Sequence, residues 1–136
     1  MKLCEETITI FNSTVDRANG YDIYYPTTIK GVSVFCEIAS AVDSSGLKAA
    51  NMFTIRIPVD ADFSGKTYLK PVEYADKSNP RRYFTLQQGD IIIRGTEKSS
   101  LSPKELQEKY GEIITVLGVT DSRRAPNAKH WKVVGK

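Results

Sequence analysis

The run at residues 32–39, VSVFCEIA, is the strongest constraint on what this chain can fold into. Val32, Val34, Cys36 and Ile38 recur at every second position, with Ser33, Phe35 and Glu37 between them. A repeat of two puts the first set on one face of an extended strand and the second set on the other. Phe35 in the second set predicts that this face is partly covered too. Residues 52–57 repeat the pattern: Phe53, Ile55 and Ile57 point inward, Thr54 and Arg56 outward, and Pro58 stops the run.

Further strand signals surround these two. Residues 7–11 alternate Thr with apolar side chains and place Ile8 and Ile10 on one face. Asn19-Gly20 is the strongest short hairpin signal. It precedes a run in which Tyr21, Ile23 and Tyr25 share a face, and Pro26 either ends that run or confines it to a sheet edge. Residues 84–86 and 90–94 read as short strands around the turn Gln88-Gly89. Residues 113–119 and 131–134 complete the sheet, with a loop at 120–130 between them.

One helix is written into the chain. Ser102-Pro103-Lys104-Glu105 is a capping box with Pro at the first helical position, and Gly111 supplies a left-handed stop. The helix Pro103–Tyr110, with Leu106 and Tyr110 on one side, is long enough to close a barrel end and too short to form a second layer. Two connections look long. Residues 40–51 are rich in Ser and Ala around Ser45-Gly46 and read as a loop, in which Ala49-Ala50-Asn51 has room for one helical turn. Residues 60–83 read as an irregular loop or extended arm, interrupted only by Tyr68-Leu69. About seven strand-like runs and one short helix predict a mainly β fold, a small single-domain barrel or sandwich with long loops.

The length of 136 residues fits one domain with a real core. The net charge of +3 is too small to demand a nucleic-acid partner, but it is unevenly spread. Residues 1–90 carry 10 basic and 11 acidic side chains, whereas residues 91–136 carry 9 and 5. Cys4 and Cys36 fit no zinc spacing; two reduced, small hydrophobes is the simpler reading, and a disulfide between them is the other. Met1–Glu6 lacks a signal-peptide core, and no apolar run approaches the roughly 20 residues of a membrane span. A soluble protein of a reducing cytoplasm is expected.

Catalytic chemistry finds little purchase. His130 is the single histidine, which excludes a multi-histidine metal site within one chain, and beside Trp131 it reads as a strand-entry residue. Asp60 and Asp62 lack the further oxygen ligands of a calcium loop, and no glycine motif cradles a phosphate. No catalytic residue, metal or cofactor is expected. The remaining candidates are two arginine pairs in predicted loops: Arg123-Arg124 before Ala125-Pro126, and Arg81-Arg82 after Pro80. Arginine makes two-pronged contacts to carboxylate or phosphate and is enriched at interfaces, although loop arginines also serve solubility, the simpler reading for Arg81 and Arg82. Tyr68 joins these four as an interface candidate. Tyr24, Tyr25, Tyr68 and Tyr74 form no recognised base-stacking platform.

The order of segments carries a resemblance. Ile8-Thr9-Ile10-Phe11, a Tyr-rich strand, Gly31-Val32-Ser33-Val34, Phe53-Thr54-Ile55-Arg56-Ile57-Pro58, Gly89-Asp90-Ile91-Ile92-Ile93-Arg94-Gly95 and the stretch from Val116 through Asp121-Ser122-Arg123-Arg124 resemble small structural proteins of tailed phages and prophages of Gram-positive bacteria. The layout is similar to that of head–tail joining, or stopper, proteins. It departs from them in the capped helix and in the closing strand at Trp131. The resemblance covers nearly the whole chain and implies a β-barrel subunit made in the host cytoplasm and placed in the virion neck. It also implies a homo-oligomeric ring between portal or adaptor and tail proteins, no membrane partner, and non-specific contact of basic loops with packaged DNA. Another minor capsid or tail component, a nucleic-acid-binding barrel and a small enzyme are the alternative readings.

Overall fold

The computed structural model describes residues 5–15, 20, 22–43, 46–75, 80–124, 126 and 129–136. Its strands are β1 (Glu6–Val15), β2 (Asp22–Asp43), β3 (Gly46–Pro58), β4 (Thr67–Tyr68), β5 (Tyr83–Phe84), β6 (Ile91–Arg94), β7 (Ile114–Ser122) and β8 (His130–Gly135). The helices are α1 (Pro71–Ala75), α2 (Pro103–Tyr110) and a short 3-10 turn, Pro80–Arg82. Six strands close into an antiparallel barrel in the order β1-β2-β3-β8-β7-β6, with β6 returning to β1. The mainly β, single-domain expectation holds, and of its two forms the barrel is the one observed. Among the described residues no helix is long and apolar enough to cross a membrane.

Alternation decides what fills the barrel. Ile8 and Ile10 of β1, Ile55 and Ile57 of β3, Ile92 of β6, Ile114 and Val116 of β7, and Val133 of β8 share one buried cluster. Phe53, Ile55 and Ile57 point inward as the sequence predicts. Val34 also packs against this core and is only partly buried. On the other face of β2, Phe35 is 58% exposed, so the cover expected there is missing. Cys36 is an exposed free thiol and not a buried small hydrophobe; Cys4 lies outside the described residues.

Two irregularities shape the barrel. Glu6 pairs with Val32 and Thr7 with Lys30, which leaves Gly31 as an extra residue in β2. Its φ of 90° lies in the left-handed region, which a residue without a Cβ enters at no steric cost. The bulge shifts the inward phase from Thr27 and Ile29 to Val32 and Val34. It is also the corner at which β2 leaves β1 and, from Ser33, takes β3 as its partner. A second register shift between Val116 and Gly118 sits where β7 passes from β6 to β8. Pro26 lies within β2 opposite Phe11, on a stretch with a strand on one side only. Its carbonyl accepts a 2.7 Å bond from Lys66 on the other side. A residue's N and C=O point the same way in a strand, so the nitrogen without a proton faces that open edge.

Three further expectations are corrected. Residues 40–43 and 46–51 are strand and hold no helical turn: Ser40 pairs with Ala49, Ala41 with Lys48 and Val42 with Leu47. Small side chains weaken a strand but do not prevent one when a partner supplies the ladder. Tyr83–Phe84 does not pair with β6; it runs parallel to β4, because residues 85–90 carry the chain away before β6 begins. The helix α2 is capped as predicted, with Ser102 Oγ accepting the Glu105 N–H and Gly111 at φ 73°. It closes no barrel end. Leu106 packs outside the barrel on Phe11, Ile91 and Ile93, the faces of β1 and β6 opposite the core.

The stretch expected as an arm folds back. Phe63 and Tyr68 pack on the main core with Phe84 and Leu86. Phe63 stacks on Phe84 at 5.0 Å, and Tyr68 lies 4.8 Å from Trp131. Gly135 marks the tightest approach. A Cβ there would stand 2.6 Å from Ile114 Cγ2 and 2.7 Å from the Thr115 backbone oxygen. Gly135→Ala should therefore cost about 2 kcal/mol, since a backbone atom must move. A thermal melt should show a midpoint lower by roughly 5 °C or more; an unchanged midpoint would place β7 and β8 farther apart than described.

Candidate assembly surface

The β2–β3 ribbon outruns the barrel. β3 is held by β8 only from Phe53 to Pro58, and β2 leaves β1 at Val32. From Glu37 opposite Met52 to Asp43 opposite Gly46, the two strands pair with each other and, among the described residues, with no third strand. At about 3.3 Å per residue this ribbon is roughly 20 Å long. An isolated two-stranded ribbon is marginal in water, and an edge of unpaired backbone groups invites a partner. Its two strands read EIASAVD and GLKAANM, with Glu37, Asp43 and Lys48 as the charged residues. Phe35 and Cys36, both exposed, stand at its base.

The second feature lies at the end of the barrel where Ile57, Trp131 and Asp121 are paired. Asp121, next to last in β7, turns its carboxylate to Arg123. The Arg123 Nε donates to both Asp121 oxygens at 2.9 Å, and Nη2 donates to Oδ2 at 2.6 Å. This guanidinium holds the Asp121 carboxyl down at about 2, below the usual carboxylate range, and the carboxylate in turn raises the Arg123 pKa. The same guanidinium lies 5.2 Å from the Tyr68 ring and 5.1 Å from the Trp131 ring. Arg123 and Tyr68 are thus brought together, engaged with one another. Arg124, one residue on, is exposed.

Arg81 and Arg82 are exposed as well, and Arg81 lies 5.2 Å from the Tyr25 ring. Of the five interface candidates, Arg123 and Tyr68 are in contact, and Arg81 lies over Tyr25 instead. His130 enters β8 opposite Pro58 and Ser122, as a strand-entry residue would. The ribbon is the feature that sequence reasoning misses. Small residues, Ala39, Ser40 and Ala41 before Ser45-Gly46 and Ala49 and Ala50 after it, stand on both sides, but pairing between them is a non-local fact.

The model of a family of unknown function (DUF6751) matches residues 3–136. No curated protein and no solved structure matches the chain.

Proposed function

We propose that this chain, which belongs to that family of unknown function, is a structural subunit of a tailed-phage or prophage-derived particle, in the ring that joins head to tail. The observation that carries the reading is the ribbon extending past the barrel ladder from Glu37 and Met52. A barrel with a long projecting ribbon is suited to gripping a neighbouring copy, because the partner's surface supplies the stabilisation that a lone ribbon lacks. The segment order set out above supports the phage setting. On this reading the chain performs no catalysis, and portal or adaptor and tail proteins flank the ring.

Replacing residues 37–52 by Asn-Gly would join Cys36 to Phe53, which are already paired, through a two-residue turn. The shortened barrel should stay folded by circular dichroism, while particles made with it accumulate as heads without joined tails. Arg124→Glu provides a second test. Breaking a buried charged contact costs about 2–5 kcal/mol per interface, and a ring repeats that cost at each subunit. Arg124 is better suited to this test than Arg123, whose replacement by Glu would set a second carboxylate against Asp121. Mass spectrometry of intact particles should find the chain. Its absence from particles overturns the virion reading, and infectious particles carrying the shortened chain overturn the role of the ribbon.

A further inference from the structure

The open edge of β2 borders a groove of about 440 Å³ built from three distant segments. β2 contributes Thr27, Thr28 and Lys30; the connection after β3 contributes Ser64 and Lys66; the connection after β6 contributes Thr96 and Lys98. Glu97 is the one carboxylate in the lining, and it is already engaged. One of its oxygens accepts from Lys109 Nζ and the Tyr110 hydroxyl, and the other accepts the Lys98 N–H. Its charge is answered by Lys109 within the α2 contact; Asp62, outside the lining, is bridged to Lys30 through the backbone and accepts the Ser64 N–H.

Lys66 is the least comfortable of them. Half-buried, its Nζ donates to the Pro26 carbonyl at 2.7 Å and to Thr27 Oγ1 at 2.9 Å, both uncharged acceptors. Burial and the like charge of Arg81 push its pKa below the ordinary lysine value. An ammonium has three donors, and these two bonds leave one. An anion entering the groove would meet that donor and relieve the unbalanced charge.

We propose that this groove binds phosphate groups, held by Lys30, Lys66 and Lys98 together with the surrounding hydroxyls. A multiply charged oxyanion matches three cations, whereas a single carboxylate would leave most of their charge unanswered. The phosphates come either from a nucleic-acid backbone or from a free oligophosphate. Phosphate binding here is independent of a place in a particle, since it rests on the groove alone.

The test uses the full chain with two probes, a random-sequence DNA duplex of roughly 20 base pairs and inorganic tripolyphosphate, between about 50 and 200 mM salt. Each phosphate contact adds about −0.9 to the slope of log affinity against log salt for duplex DNA. Lys30→Gln with Lys98→Gln should therefore flatten the duplex slope by about 2 and weaken either ligand about tenfold or more at low salt. Lys66→Gln should remove about one further contact. The pair Lys104→Gln and Lys129→Gln, outside the groove, should change affinity less than about twofold. Because Lys66 also bonds to β2, the Lys30 and Lys98 variant carries the test by itself if Lys66→Gln fails to fold. Lysine-dependent binding of the duplex identifies the backbone as the source, and of tripolyphosphate alone a free oligophosphate. Absence of binding to both, or the same affinity and slope in the Lys30 and Lys98 variant, overturns the proposal.

Discussion

Ile55→Asp should leave no folded protein at room temperature. Ile55 is 0% exposed, lies in the barrel strand β3, and is paired with Val34 on one side and Val133 on the other. Removing the isoleucine costs about 2–5 kcal/mol in lost transfer and packing. Placing an unpaired carboxylate there adds several kcal/mol more. The sum reaches the whole stability of a typical domain, about 5–15 kcal/mol. Circular dichroism should show loss of the β signal and no cooperative melt. Ile55→Val, which keeps the shape, should cost only about 1 kcal/mol. Val34→Asp should be milder than Ile55→Asp, because Val34 is only partly buried at the edge of the core. A soluble, cooperatively melting Ile55→Asp protein would mean that β3 faces the other way.

The second large effect is a loss of stability as pH rises from about 4 to 6. Asp90 is buried beside Asn12, whose Nδ2 donates to Asp90 Oδ2 at 2.7 Å and to the Thr85 carbonyl at 2.7 Å. Burial pushes the Asp90 carboxyl up to about 6, although bonds from Asn12, Gln87 and the backbone N–H groups of Ser13 and Gln87 pull the other way. The ordinary value is 3.8, so the folded state holds this proton more tightly than the unfolded chain does. A raised carboxyl contributes stability that is fully present below the unfolded value and is lost as pH climbs through the folded one. Two pKa units correspond to about 3 kcal/mol. Other carboxylates pull in the opposite sense, Asp121 among them, so the difference between proteins is the clean measurement. Unfolding free energies of the natural chain and of Asp90→Asn, from denaturant melts between pH 4 and 7, should diverge by about 3 kcal/mol. Parallel profiles would show that Asp90 is not buried in its charged form. The Tyr74 hydroxyl, buried without a hydrogen-bond partner and with its pKa raised by burial and by the charge of Asp90, belongs to the same pocket.

Local chemistry is legible in the residues themselves. Ser102, Pro103, Glu105 and Gly111 set the ends of α2, since a cap is made by residues three or four positions apart. The alternation in β3 reports its inner face, since a strand has only two faces to choose between. Pairings across the chain are what cannot be read this way. Residues 40–51 read as a loop because Ala and Ser hold no strong strand preference, and the ladder that extends them comes from the opposite strand. Arg123 reads as a free interface group. Only the packing of Tyr68 against Trp131 shows that its guanidinium already has a seat.

A chain with these alternating runs, one capped helix and few charged clusters was bound to be a small β domain, because periodicity commits each segment to an inward and an outward face. Closure into a barrel depended on tertiary structure, through the Gly31 bulge that hands β2 from β1 to β3. So did the placing of α2 on the outer wall, the burial of Asp90, and the meeting of Lys30, Lys66 and Lys98 around one groove. Each joins residues tens of positions apart, and sequence patterns carry no record of which distant partner a face will meet.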